Sequence, residues 1–429
     1  MNGFGLSRER FALLFSVMLV AAAGNTAMQS LLPAIGRVLG VADIWVAIAF
    51  SLSAILWVVM APLWARRADR RGRRALMRLG LGGFILSNLI CGGILAAGLA
   101  GLAGATLVFA IFMVGRGLYG TFGSASPPAV QAYVAARTEG AERTSAMAAL
   151  ASSFGLGTII GPAVAPLFVF RPLGLSGPLF VFAAVAVLVL VLLVLRLPDD
   201  TPRNPARGQI ASYPAIGGAA GAVPEQDETP ARLRWGDPRI VPWHIMGVVG
   251  GHGQAALLGV IGFLIIDRLH VVLAQAQESI AIVLMSGAVA SLLAQWGLIP
   301  RLRLEPRQLV LWGSALAALG TVMTGLGEGI YTITLGFALA SLGFGLYRPG
   351  FTSGASLAVE RHEQNAVAGM VTSINGLAYI AAPALGVALY GVGHSLPFLA
   401  VGAVMLGLAG WVALSRSPSA PAAGACPGK

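Results

Sequence analysis

Two arginines, Arg116 and Arg348, stand inside apolar stretches long enough to cross a bilayer, Arg116 about a dozen residues into its stretch. An arginine at that depth costs at least ~2.5 kcal/mol, so each should face a wet cavity or a partner. A structural role, bonding backbone carbonyls for packing, is the plainer alternative for Arg116. None of the seventeen Asp and Glu residues falls squarely in the middle of such a stretch; the nearest are Asp43, Asp267 and Glu278, each at an end. His252 lies about twelve residues into its own stretch. Histidine titrates near neutral pH, and an acid at a desolvated edge can shift upward, so His252 and Asp267 are the candidate proton carriers. The plainer readings are a neutral packing histidine and an Asp267 that pairs with adjacent Arg268. Asn25, Gln29, Tyr119, Gln254, Tyr347 and Asn375 are further polar residues in apolar surroundings, each either a helix–helix bond or a cavity lining. Two central arginines without a central acid predict an electropositive cavity for an anionic or zwitterionic small molecule.

The chain offers no paired acids with a histidine, no nucleophile motif and no metal-ligand spacing, so neither an enzyme nor a metal site is expected. Its two cysteines, Cys91 and Cys426, give no disulfide framework.

The elements that must position these residues are membrane spans. The chain is 57% hydrophobic and 10% charged, with a mean hydropathy of +0.81. Soluble domains carry roughly 25% charged residues. Twelve spans of at least ~20 residues are read between residues 11 and 414, an all-α polytopic fold of two similar six-helix halves. The halves cover 1–197 and 240–415, with a cytoplasmic linker at 198–239 and a disordered cytoplasmic tail at 416–429. Gly117-Leu-Tyr119 of span four recurs as Gly345-Leu-Tyr347 of span ten, and the stretch from Phe154 in span five lines up with that from Asn375 in span eleven. Two matches six spans apart, in the same order, indicate a repeat, and such repeats place a substrate site between the halves near the midplane.

The net charge of +11 follows topology. Only Arg37, Arg171 and Arg268 fall on one side and Arg116 and Arg348 inside spans, leaving 23 of the 28 Lys and Arg on the other side. That bias predicts both termini in the cytoplasm and argues against nucleic acid as a partner.

Three motifs resemble the major facilitator superfamily, in its twelve-helix drug:proton antiporter branch that includes tetracycline-type exporters. The first ends Asp69-Arg70-Arg71-Gly72-Arg73-Arg74 between spans two and three; Ala65 and Arg67 depart from the family's usual residues. The second is Arg116-Gly-Leu-Tyr-Gly120 in span four, and the third is Gly157-Thr-Ile-Ile-Gly161-Pro162 in span five. The resemblance implies a gating role for Asp69 with Arg70, Gly72 and Arg73, and a conformational role for Gly157, Gly161 and Pro162. It implies a cavity lined by spans one, four, seven and ten, hence by Asn25, Gln29, Arg116, Tyr119, His252, Gln254, Tyr347 and Arg348. It further implies a monomer in a bacterial inner membrane that needs no cofactor, driven by the proton gradient, exporting a drug, siderophore or other metabolite. Import or uniport on the same scaffold, and a non-transporting receptor, are the alternatives.

Overall fold

Helix is the only regular structure that satisfies every backbone group within one apolar segment, so a chain of this composition folds as a series of helices. The structure, a computed structural model, describes residues 7–138, 140–198, 233–270, 276–360 and 363–415. Most of the linker and the tail read from the sequence lie outside the described residues.

The first half contains α1 (Arg8–Val38), α2 (Asp43–Arg71), α3 (Arg73–Leu99), α4 (Ala105–Phe122), α5 (Ser126–Ala135), α6 (Gly140–Val164) and α7 (Gly177–Arg196). The second contains α8 (Val241–Leu269), α9 (Ala276–Leu292), α10 (Ile299–Leu302), α11 (Pro306–Leu326), α12 (Ile330–Leu357), α13 (Gln364–Val392) and α14 (Leu396–Leu414). Span four is thus α4 and α5 joined by a 3-10 turn at Gly123–Ala125, and span eight is α9 and α10 joined by a π-helical segment at Leu293–Leu298. Eleven helical segments among the described residues are long and apolar enough to cross a membrane; α6 adds a shorter apolar stretch at Gly155–Phe168. Their outward faces carry Leu107, Leu195, Trp296 and Trp312, all exposed as lipid-facing side chains would be.

Helix starts follow local chemistry. Pro178, Pro242 and Pro397 occupy the first turns of α7, α8 and α14, where a missing N–H costs nothing. Glu305 and Gln308 cap the start of α11 reciprocally. Gly72 turns the chain between α2 and α3 with φ +82°, a left-handed conformation that glycine adopts freely.

The packing repeats between the halves. In the first, α1 meets α6 and α7, α3 meets α4 and α7, and α2 meets α4. In the second, α8 meets α13 and α14, α11 meets α12 and α14, and α9 meets α12. Each of these five contacts in one half has its counterpart in the other. The seam between them obeys the same pseudo-twofold, with α2 against α13 and α6 against α9. One detail repeats at the level of atoms. Tyr119 donates to the carbonyl of Ala21 in α1, and Tyr347 donates to the carbonyl of Met246 in α8.

The last helix of each half is also held in a matching way. Arg74, in the first turn of α3, donates to the carbonyl of Val194 near the end of α7. Arg307, in the first turn of α11, donates to the carbonyl of Val412 (2.8 Å) and to that of Ser415 at the end of α14. Terminal helix carbonyls lack internal partners and carry partial negative charge, so a guanidinium suits them.

Candidate functional site

Span four carries Arg116, 1% exposed. Its guanidinium donates to Asn25 Oδ1 of α1 at 2.8 Å and to Ser53 Oγ of α2 at 3.2 Å, with Met28 Sδ at 3.5 Å. The rings of Phe50 and Tyr119 lie 4.9 and 5.1 Å from its central carbon. Ring faces attract a cation electrostatically, most strongly where water is excluded. Arg116 therefore joins α1, α2 and α4 within one half, a packing role combined with a buried charge.

Span ten carries Tyr347 and Arg348, both buried. Arg348 lines a cleft with Gln254 of α8 and Asn375 and Tyr379 of α13. Gly250 floors it because a Cβ there would meet the Tyr347 ring at 2.1 Å.

Between the halves lies a narrow cavity. Gln29 and Pro33 of α1, Phe50 of α2, Leu258 of α8, Leu284 of α9 and Tyr379 of α13 are among its walls, which are mainly apolar. Tyr379 is shared with the Arg348 cleft, so that arginine stands at the cavity's side. Of the two arginines expected in the cavity, only Arg348 adjoins it. Arg116 does not line it; Phe50, which does, packs over the Arg116 guanidinium.

Beyond the cavity, at the end of the bundle opposite Arg73, a charged cluster spans the seam. Arg37 of α1 makes bonds of 2.6 Å to each carboxylate oxygen of Asp43 in α2. It also bonds Asp267 of α8 at 2.9 and 3.0 Å. Tyr390 of α13 donates to Asp267 at 2.7 Å, and the His394 ring stacks on Tyr390 with its Nε2 3.9 Å from the same carboxylate. Beneath the cluster, Gln277 of α9 donates to Ser30 Oγ of α1 at 2.9 Å. Arg37 lies over the ring of Phe263, which lines the cavity. The cavity is therefore roofed at this end by contacts between the halves.

This corrects the expected pairing of Asp267 with Arg268. Neighbours on a helix point about 100° apart, and Arg268 turns instead to Ser395 Oγ (2.8 Å) and the carbonyl of Gly325. Tyr390 and His394 were not singled out from the sequence. A usable signal was present, since Arg37, Asp43 and Asp267 all belong to the same end of their spans.

His252 donates from Nδ1 to the carbonyl of Val248 one turn back (2.7 Å) and lies outside the clefts described above. Gly157 and Gly161 place α6 directly against α1; a Cβ at Gly161 would sit 2.1 Å from the Ala23 carbonyl oxygen, and one at Gly157 would sit 2.5 Å from that of Leu19. Pro162 follows in the same helix, which gives way to a 3-10 turn at Ala165. Arg73 is buried at the opposite end of the bundle from the charged cluster. The side chains of Asp69 and Arg70 lie outside the described residues.

A family model described as Major Facilitator Superfamily matches residues 13–383. "Multidrug resistance protein 2" of Bacillus subtilis (strain 168) is 27% identical over 402 residues, covering 92% of each chain. A bacterial homologue of the human lysosomal transporter Spinster, solved inward-facing and unoccupied, superposes with a TM-score of 0.70 at 12% identity, over 96% of this chain and 100% of that one. The human organic anion transporter MFSD10 gives 0.63 at 18% identity, over 95% and 100%. At those identities the solved structures show a shared fold.

Proposed function

The chain belongs to the Major Facilitator Superfamily, a transporter and not an enzyme, and on that premise we propose that it exports small molecules through the bacterial cytoplasmic membrane in exchange for protons. The carrying observation is the cavity at the seam, walled by α1, α2, α8, α9 and α13 and roofed at one end by contacts between the halves. A site on the pseudo-twofold, closed on one side, is what alternating access requires. The arginine-rich end is the cytoplasmic one on the positive-inside rule, with both termini there. The Arg37 cluster then closes the outer mouth.

The walls suggest a substrate of mainly apolar character, and Arg348 beside them suits an anionic or zwitterionic group on it. Outward direction is supported by the order of glycines around Gly157–Pro162 and by the multidrug relative. The energy source is the proton gradient, no cofactor is needed, and the protein works as a monomer. Uptake into inverted membrane vesicles tests the reading. Accumulation of an amphipathic anion should collapse with an uncoupler and fall at least tenfold in Arg348→Ala. Gradient-independent equilibration, or dominant transport of permanently cationic dyes that Arg348→Ala leaves unchanged, would overturn it.

A further inference from the structure

The cluster that roofs the cavity holds one arginine and two carboxylates. Their placement divides them unequally. Arg37 and Asp43 belong to α1 and α2 of the first half, whereas Asp267 and its donor Tyr390 belong to α8 and α13 of the second. The Arg37–Asp43 bond is internal to a half; the Arg37–Asp267 bond crosses the seam.

The geometry points to Asp267 as the proton-binding site of the transport cycle, whose protonation from the outer side unlatches the two halves. One proton added to the Asp267 carboxylate gives a neutral carboxylic acid and removes one negative charge. Arg37 keeps its charge and stays paired with Asp43, so no arginine is left without a counterion. Tyr390 remains within reach of the neutral acid. Each half leaves with its own hydrogen-bonded pair, and the ionic tie across the seam is gone. A cluster of one cation and one anion could not do this without leaving the arginine unpaired. Asp43 thus supplies the arginine's resting partner. The proton site is separate from the Arg348 cleft, which leaves the cavity to the substrate. The inference rests on the proton-exchange reading above.

Other groups face Asp267. Arg37 comes from α1, Asp43 from α2, Tyr390 from the end of α13 and His394 from the turn after it, while Arg268 of α8 lines the vestibule around Asp267 but turns to Ser395. His270 and Glu328 line the same open vestibule with Asp267. His394 is the rival titrating group, since it stacks on Tyr390 and approaches the carboxylate.

The test is a distance measurement on the full chain in lipid nanodiscs, without substrate. Spin labels at Leu102→Cys and Tyr331→Cys, both exposed at the outer ends of opposite halves, report opening. Cys426 is replaced by serine, and Cys91 is buried from the reagent. Lowering the pH from 7 to 3.5, through the ordinary carboxyl range, should raise the long-distance population by about threefold or more. Asp267→Asn should show the long distance at both pH values, and Glu328→Gln should respond as the parent does. A parent without a pH response, an Asp267→Asn protein that keeps it, or loss of the response only in His394→Gln would each overturn the assignment. If Asp267→Asn does not insert, a hydrophobic carbodiimide, which couples to protonated carboxyls, should label Asp267 in the parent more at pH 3.5 than at pH 7; absence of labelling there overturns it equally. A pH-responsive distance in a protein that shows no gradient-driven flux would remove the export reading and leave the Asp267 site standing.

Discussion

Arg116 is held by Asn25, Ser53 and two ring faces inside one half, whereas Arg37 is shared between Asp43 of its own half and Asp267 of the other. The first has neutral partners that move with it. The second has a partner in the other half, from which any relative movement of the halves would part it. A charge satisfied within a rigid body contributes to architecture, and a charge divided between two bodies sets their relative population. The same distinction separates the glycine contacts of α6 on α1 from the polar contacts that roof the cavity.

The comparison breaks first at Arg116. Arg116→Ala should cost about 2–5 kcal/mol through lost packing and orphaned polar partners, read as the largest fall in melting temperature in detergent, with transport abolished. Arg116→Met should recover much of the stability, since an apolar residue of similar volume replaces a buried charge well. Recovered transport in the methionine variant would make the charge dispensable. Next comes Gly161→Val, which forces side-chain atoms onto the Ala23 carbonyl and Thr26. A cost of about 1–3 kcal/mol is expected from such overpacking, again as lowered thermal stability. Arg37→Gln belongs to the other class. Its pairs are part-exposed, so melting should change by no more than about 1 kcal/mol. A thiol reagent applied from outside should modify Ser30→Cys several-fold faster in that variant. Unchanged modification with a large melting shift would put Arg37 among the architectural residues.

The smallest effect is expected at the end of the bundle opposite the Arg37 cluster. There Arg239 bonds Asp237 and Glu363, and the guanidinium holds the Asp237 carboxyl below its usual range. A depressed carboxylate stabilises above its ordinary titration range and loses that contribution as pH falls through the depressed value. Arg239→Gln should therefore lower the melting temperature slightly near neutral pH, with the difference from the parent vanishing in strongly acidic solution.

The helices, their order and the repeat were legible because hydropathy and glycine punctuation are local properties. Gly72 turns where the motif places it, and Tyr119 and Tyr347 make the matching bonds that their repeat implies. Position along the helix was legible too, since counting residues places Arg116 well inside α4. Direction around the helix was not. Whether Arg116 turns toward the cavity or into its own half is decided by α1 and α2, which hydropathy does not orient. The partner of Asp267 lies 230 residues away, and sequence adjacency suggested Arg268 in its place. Both misplacements concern azimuth, and only packing settles azimuth.

The grip of Arg74 on the end of α7 and of Arg307 on the end of α14 has a consequence for biogenesis. An arginine made early in each half waits for carbonyls made at that half's close. The first unit can therefore be clasped in the bilayer while the ribosome is still translating the second, and the second is clasped only as the final helix emerges. Each insertion event ends with its own fastening.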